Sequence, residues 1–530
     1  MFDFQKKGGL VEVIREKRTV VWGTGLLAKL YMDDHPELDV YFFIDSYANR
    51  SVFKGRRVLR PELVNEWERY KILILVEKNS TICSYLDNKG LKEGVDYSVI
   101  PGKNMNVTQI MEDVAKYKSS HLNDINRLFV VPWFGIRGLE IYRNFLKAYI
   151  QREGVGIVFC TNKRYTSCEE ISSILECKVL PFPDLSNWDG KMNSIAMGLR
   201  SIDDLSSAEL SKLEEILGRK EPLDGAREYV KKVYVLLREI IWIIHPSEIC
   251  VWGGWGYESY ILGDIARDNS IKMGYMEHGW IGGTFQIDPC GIIGQGECAV
   301  HPDRIRKVFI TEEDIENAKK VKEYILRKKL DSGAYRTTVQ DEMELVRIDK
   351  SRKTVLLVGM NEKDNAANKE TGYWNKYISY VYSSMKDMVD HLVSICRKNN
   401  FNLVFKPHPY DHTLNMCEYS LNDIIYIEDA SMDRLINESD VVVSISSASE
   451  YKVLMYDKPL VQVGLTSLSG KGCSYEAKTK EHVEKMLSLA LENGMTSEQK
   501  ENFLAFVARL LKRYLWDDLS ERDFRYGISI

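Results

Sequence analysis

The chain has 530 residues, 44% of them hydrophobic, 11% aromatic and 28% charged, which is enough for two to four domains and too apolar for a disordered chain. Its 72 Lys and Arg stand against 77 Asp and Glu, and the formal net charge of −5 excludes the basic footprint of a nucleic-acid binder. The 10 cysteines form no CxxC pair and no Cys/His set at zinc spacing, so they read as reduced, mostly buried thiols with no metal centre. The opening MFDFQKKGGLVEVIREK has no apolar signal region, and runs such as Ile240 to Ile244 are far shorter than the ~20 residues of a membrane span. A cytoplasmic protein is expected.

The first unit, residues 1–110, opens with the apolar strand Thr19 to Trp22, then Gly23-Thr-Gly25-Leu-Leu-Ala28, a helical run and a second strand Val40 to Asp45. This is the order of a Rossmann-type βαβ unit. Gly23 and Gly25 permit a tight turn that approaches a phosphate at a helix N-terminus, and Asp45 closes strand two, where an acidic residue holds a ribose. A third strand, Lys71 to Val76, follows, and the unit closes near Pro101. At that size it resembles the small N-terminal domains attached to bacterial sugar-modifying enzymes more than a complete dehydrogenase half.

A second α/β pattern, residues 120–335, begins with strand Arg127 to Val131 and continues through Gly156 to Cys160 and Ile249 to Trp252, the last running into Gly253-Gly254-Trp255-Gly256. Thr311-Glu-Glu-Asp314 has capping-box chemistry and starts a helix. Asp331 to Arg352 is polar without an apolar period and reads as a linker. The third pattern, residues 350–530, has strands at Lys353 to Val358, Asn402 to Lys406, Ile424 to Ile427, Asp440 to Ser444 and Leu460 to Gly464, and then a helical tail from about 497 to 516. In that tail Phe503, Phe506, Leu510 and Tyr514 are expected to pack inward, which leaves weak membrane contact at most. The expected fold is α/β: a pair of Rossmann-type domains that resembles the GT-B glycosyltransferases, preceded by a small Rossmann-like domain.

Three clusters carry chemistry. In Phe405-Lys406-Pro407-His408-Pro409 the prolines end a buried strand in a rigid turn, so that Lys406 and His408 stand at the sheet edge, where they can hold a nucleotide phosphate and offset leaving-group charge. Ser446 and Ser447, in Ile445-Ser-Ser-Ala-Ser449-Glu450-Tyr451, lead from a strand into a helix and supply donors for a phosphate or carboxylate, and Glu450 is placed for a donor ribose or as a capping carboxylate. Tyr275-Met-Glu277-His278-Gly279-Trp280 with Asp288-Pro289 is too glycine-rich for a regular helix and is expected to be a shaped loop. Glu277 or Asp288 would act there as general base, and His278 would bind an acceptor or donor carboxylate.

Together Glu277-His-Gly, Asp288-Pro-x-Gly291, Lys406-Pro-His-Pro409 and the stretch Asp440 to Gly464 resemble the bacterial capsule polysaccharide biosynthesis family, which includes Kdo transferases that use CMP-Kdo. The His-Pro and Ser-Ser pair is also similar to that of bacterial sialyltransferases and of CDP-glycerol glycerophosphotransferases. The resemblance spans about residues 125 to 480. It implies a metal-independent GT-B enzyme whose donor is a nucleotide-linked sugar, most readily CMP-linked, and whose acceptor is a glycan or glycolipid, with His408, Pro409, Ser446 and Ser447 contacting the donor. No further cofactor is implied. Ser449-Glu450-Tyr451-Lys452 departs from the family's Glu-Ala helix start, and the N-terminal unit lies outside the pattern. Three alternatives stay open: a CDP-alditol phosphotransferase, a ribosyltransferase using phosphoribosyl diphosphate, and a sugar-nucleotide-modifying enzyme that works through the N-terminal unit.

Overall fold

The computed structural model describes residues 17–121, 127–160, 172–218, 225–328 and 345–528 with interruptions, the longer of them at 25–27, 47–50, 77–79, 100–106, 132–135, 192–198, 363–372, 409–413 and 520–526. The chain divides into two compact units, one of Met1–Asn104, Pro132–Glu140 and Cys160–Ile174, the other of Met105–Val131, Ile141–Phe159 and Leu175–Ile530.

The first unit holds one sheet: β1 (Arg18–Trp22), β2 (Phe43–Ile44), β3 (Val52–Phe53), β4 (Arg56–Leu59), β5 (Tyr70–Ile74) and β6 (Tyr97–Val99), in the order β3-β4-β2-β1-β5-β6. All its pairs are parallel except β3 with β4. The strand order reverses between β1 and β5, which is where a doubly wound sheet opens a crevice. Apolar residues cover both faces, as a parallel sheet requires: Val20, Trp22, Ile72 and Ile74 on one side, Val21 and Phe43 on the other.

In the second unit the first sheet contains β7 (Arg127–Val131), β8 (Gly156–Cys160), β9 (Lys178–Pro181), β10 (Glu248–Trp252), β11 (Lys272–His278) and β12 (Thr284–Asp288). They run β12-β11-β10-β7-β8-β9, with β7, β10 and β11 parallel and β12 antiparallel to β11. The stretch expected to be a loop around Glu277 is therefore a hairpin, its two strands paired antiparallel across the Gly279 to Gly283 turn. Three helices, α1 (Val107–Ser120), α2 (Ala226–Ile244) and α3 (Tyr257–Asp268), supply much of the core over this sheet. Val107, Ile110, Met111 and Val114 of α1 are buried in that core, so the first unit ends before α1 rather than at residue 110.

After α4 (Glu312–Lys328), whose first turn carries the reciprocal Thr311–Asp314 capping bonds, the last sheet is laid down as β13 (Thr354–Val358), β14 (Asn402–Lys406), β15 (Ile425–Tyr426), β16 (Val441–Ser444), β17 (Leu460–Gln462) and β18 (Tyr475–Glu476). Every pair is parallel, and the order β15-β14-β13-β16-β17-β18 is a 3-2-1-4-5-6 winding. Residues 354–358, 402–406 and 441–444 are buried throughout. The helices used below are α5 (Met385–Asn399), α6 (Ser449–Met455) and α7 (Ser497–Arg513). The polar run expected as a linker is partly core: Leu345 and Ile348 are buried, and Asn402 donates to the Asp349 carbonyl at 2.8 Å.

The tail returns to the earlier sheet. Phe503, Phe506, Leu510 and Tyr514 of and after α7 are buried among residues of α4, α6 and one face of the last sheet. Burial of such side chains contributes about 1.5–3 kcal/mol each, so the stripe is committed to the core. The chain then forms β19 (Leu515–Asp517), antiparallel to β12, which completes the order β19-β12-β11-β10-β7-β8-β9. Among the described residues no helix is long and apolar enough to cross a membrane.

Candidate functional site

Two motif clusters meet at the carboxyl edge of the last sheet. Val358 of β13 is in register with Lys406 of β14 on one side and Ser444 of β16 on the other, and the strand order reverses between β13 and β16. The segments leaving these ends, Gly359, Pro407-His408 and Ile445-Ser446-Ser447, border the crevice that such a reversal opens. Gly359 is required there: a Cβ on it would lie 3.0 Å from the His408 nitrogen and from the Pro407 Cα. Its own N–H donates to the Lys406 carbonyl at 2.8 Å, which fixes the turn against β13.

His408 is half-buried on this turn, while Pro409 lies outside the described residues. Lys406 does not stand out at the edge as the sequence suggests. It is 6% exposed and its Nζ donates to the Glu428 carbonyl beyond β15, so its charge sits beneath the turn. Ser446 is buried and Ser447 half-buried; the Ser447 hydroxyl accepts from Ser449 N–H at 3.2 Å. Glu450 is 2% exposed and accepts from Ser447 N–H at 3.3 Å. Burial pushes its carboxyl up to about 8, against the hydrogen bonds it accepts. Glu450 thus holds the serine turn from inside, and neither the ribose contact nor the solvated cap expected of it fits a side chain so enclosed.

The Glu277 hairpin supplies the second half. Antiparallel register places Glu277 opposite Gln286, His278 opposite Phe285 and Tyr275 opposite Asp288, so that Glu277 and His278 leave opposite faces. Glu277 is half-buried and accepts from His278 N–H at 3.0 Å; desolvation raises its carboxyl to about 7. His278 lies in an aromatic nest, edge-on to Trp252 at 5.1 Å and stacked on Phe285 at 5.5 Å. Burial lowers its ring to about 4, so it is neutral at physiological pH and brings no cation to a substrate carboxylate, contrary to expectation.

Asp288 is fully buried and accepts four hydrogen bonds, from Cys290 N–H at 2.7 Å, Gly291 N–H at 3.1 Å, Glu297 N–H at 2.7 Å and the Tyr514 hydroxyl. A carboxylate has about four lone-pair sites, and all are occupied. The general-base role expected as an alternative at Asp288 is therefore not available in this geometry; Asp288 shapes the turn that follows β12.

The two halves touch through rings. Trp280, three residues after Glu277, stacks on Tyr451, the neighbour of Glu450, at 5.6 Å and 5°. It also stacks on Tyr514 at 5.2 Å and 8°. This contact between the hairpin and the serine turn is not legible in the sequence, because nothing marks Trp280, Tyr451 and Tyr514 as partners across 234 positions. Among the described residues no group of three His, Cys, Asp or Glu side chains gathers as a metal-binding set.

The first unit has its own glycine turn. Gly23 has φ +127° and a Cβ there would come within 2.6 Å of the Leu75 carbonyl, so the turn after β1 needs glycine. Asp45 accepts from the Thr24 hydroxyl at 2.5 Å, which ties the acid to the turn itself. Gly25 lies outside the described residues.

Comparison with known proteins bears on the last sheet above all. The family described as capsule polysaccharide biosynthesis protein matches residues 295–493. No curated protein matches the chain. Solved structures with similarity include the KpsC beta Kdo 2,7 transferase of Thermosulfurimonas dismutans, at 16% identity and TM-score 0.36 over 73% of this chain and 91% of that one. The beta Kdo 2,4 transferase of the same KpsC gives 16% and 0.36 over 49% and 79%, and the UDP-N-acetylglucosamine 2-epimerase of Rickettsia bellii 11% and 0.33 over 72% and 94%. The segment holding Lys406, His408, Ser446, Ser447 and Glu450 therefore carries the sequence pattern of the capsule polysaccharide biosynthesis family, and Glu277, His278 and Asp288 precede the matched residues.

Proposed function

We propose that this protein is a glycosyltransferase of bacterial surface-polysaccharide assembly that moves a sugar from a CMP-linked donor to a glycan or glycolipid acceptor. The observation that carries this reading is the meeting of the Lys406-Pro-His408 and Ser446-Ser447 turns at the strand reversal of the last sheet, with the Glu277 hairpin stacked against the same region through Trp280 and Tyr451. The family match over residues 295–493 supports capsule assembly as the setting.

In this reading the donor phosphate lies on the carboxyl edge, where His408 and the two serines donate to it and the buried Lys406 adds positive potential from below. The acceptor hydroxyl faces Glu277. The carboxylate takes the hydroxyl proton as the acceptor oxygen bonds to the anomeric carbon; the bond from that carbon to the phosphate oxygen breaks, and the nucleotide leaves with the electron pair. Charge on the leaving phosphate is met by these donors, so we assign no metal to the step, and transfer is expected to persist in excess chelator. The first unit is assigned no part in donor binding. The enzyme is placed in the cytoplasm, with peripheral access to lipid-linked acceptors.

The test is His408→Ala with a nucleotide panel. CMP at 100 times its dissociation constant should stabilise the wild type by about 2.7 kcal/mol, whereas CDP, UDP, GDP, NAD and phosphoribosyl diphosphate should do less. The variant should lose transfer and keep its fold, because a half-buried side chain on an edge turn contributes little packing. Near-normal turnover by His408→Ala would reduce the residue to a turn former, and preferential stabilisation by CDP or phosphoribosyl diphosphate would replace the donor assignment.

A further inference from the structure

We infer that the Tyr451–Trp280–Tyr514 stack is a positioning device that sets the Glu277 hairpin against the serine turn, and that the C-terminal segment is thereby part of the site. This rests on the reading of Glu277 and the serine turn given above. Each ring comes from a different structural source: Trp280 from the turn between β11 and β12, Tyr451 from α6, and Tyr514 from the end of α7. The planes lie within 5° and 8° of parallel at centroid separations of 5.6 and 5.2 Å, so the indole is stacked with both tyrosine rings.

Both outer rings are fixed by their hydroxyls. Tyr451 bonds Ser467 at 2.8 Å, in the segment after β17, and Tyr514 donates to Asp288, at the end of β12. Tyr514 therefore grips the hairpin twice, at its turn through Trp280 and at its far end through Asp288, and β19 adds a third hold by pairing Thr284, Phe285 and Gln286 with residues 515–517. Ile281, beside Trp280, is buried in one core with Tyr451, Phe503 and Phe506. A shift of the hairpin relative to α6 must break two ring contacts together. Their combined worth corresponds to about tenfold in the equilibrium between held and displaced hairpin.

None of the three rings is asked to touch the reacting atoms, so the expected signature is a change in turnover with donor binding kept. In the full-length protein, Trp280→Leu should lower kcat by about tenfold or more while the dissociation constant for CMP stays within about twofold, and Trp280→Phe, which keeps a ring in the stack, should recover most of the loss. Tyr514→Phe, which keeps the ring but loses the bond to Asp288, should fall between them. Amide hydrogen exchange reads the device without any transfer assay: residues 275–288 should exchange faster in Trp280→Leu, with β13 and β16 unchanged. Unaltered exchange in the hairpin overturns the inference whatever the enzyme transfers. Absence of transfer by the wild type from any nucleotide-sugar, with the hairpin loosened as expected, overturns the functional reading and leaves the positioning role standing. Equal loss of CMP binding and turnover in both Trp280 variants would make the stack a general support of the fold and overturn the inference.

Discussion

A carboxyl raised to about 7 by desolvation is well matched to taking a proton at neutral pH, and Glu277 has that environment near the end of β11. If it is the base, kcat should rise with pH through about 7 and level off above, since only the ionised form accepts a proton. Glu277→Gln should cut turnover by about 10²- to 10⁴-fold and remove that rise. The same substitution tests the cost of the arrangement. The amide is isosteric with the protonated acid, so it should leave the melting temperature unchanged at pH 5 and raise it at pH 8, where the wild type carries a desolvated charge. A lower melting temperature at pH 8 would show that the carboxylate is held by bonds that outweigh its burial. His278 beside it is a poor substitute, since a ring lowered to about 4 is a weak base, and it leaves the opposite face of β11.

Elements divide by how much of their reason for existing is local. Strands β13, β14 and β16 of the last sheet were legible because each is a largely apolar run buried on both faces and ended by glycine, proline or serine, and the predicted Lys353 to Val358, Asn402 to Lys406 and Asp440 to Ser444 coincide with them within a residue. The hairpin β11–β12 was read as a loop because its glycines sit in the turn and its second strand is anchored by β19, 229 to 233 positions away, which no local pattern reports. The same limit hid the demotion of Asp288 and Glu450: burial, and for Asp288 the hydroxyl of Tyr514, decide the carboxylate's role, and only the fold supplies them. Element contacts also sharpen a truncation. Removing residues 1–110 would strip Val107 and Ile110 from the core over the second sheet, whereas removing 1–104 leaves them in place. The shorter deletion should be soluble, keep CMP binding within about twofold, and melt above the longer one, as the loss of two buried side chains costs more than about 1 kcal/mol. Loss of CMP binding in a folded 105–530 protein would move part of the donor site into the first unit.

At the scale of the whole molecule, a net charge of −5 on 530 residues leaves the pH dependence of stability near neutrality to a few buried groups. Glu277 and Glu450 keep their protons in the folded chain to about 7 and about 8 and lose them near 4.5 when unfolded, so between those values the folded state binds more protons and their contribution falls as pH rises. His278 works in the opposite sense. It is neutral in the folded chain above about 4 and titrates at 6.5 when unfolded, so its contribution rises with pH up to 6.5 and then stops; buried His391 is displaced in the same direction. From pH 5 to 6.5 the two kinds of group offset each other and stability should be nearly flat. From 6.5 to 8 the histidines no longer act while Glu277 and Glu450 still do, and stability should fall by about 1–2 kcal/mol, given 1.36 kcal/mol per pH unit and proton. Above 8 the buried ammonium of Lys471, lowered to about 8 by desolvation from 10.5, favours the folded chain as pH rises, while the thiols of Cys298, Cys396 and Cys473, raised from 9.0 by burial, oppose it. Denaturant unfolding from pH 5 to 8 should trace this plateau and fall, and Glu450→Gln, which keeps an acceptor for Ser447 N–H, should flatten the fall above 7. A wild-type stability that climbs steadily from pH 6.5 to 8 would mean that the carboxyl of Glu450 is ionised in the folded chain, and that the serine turn rests on a buried charge.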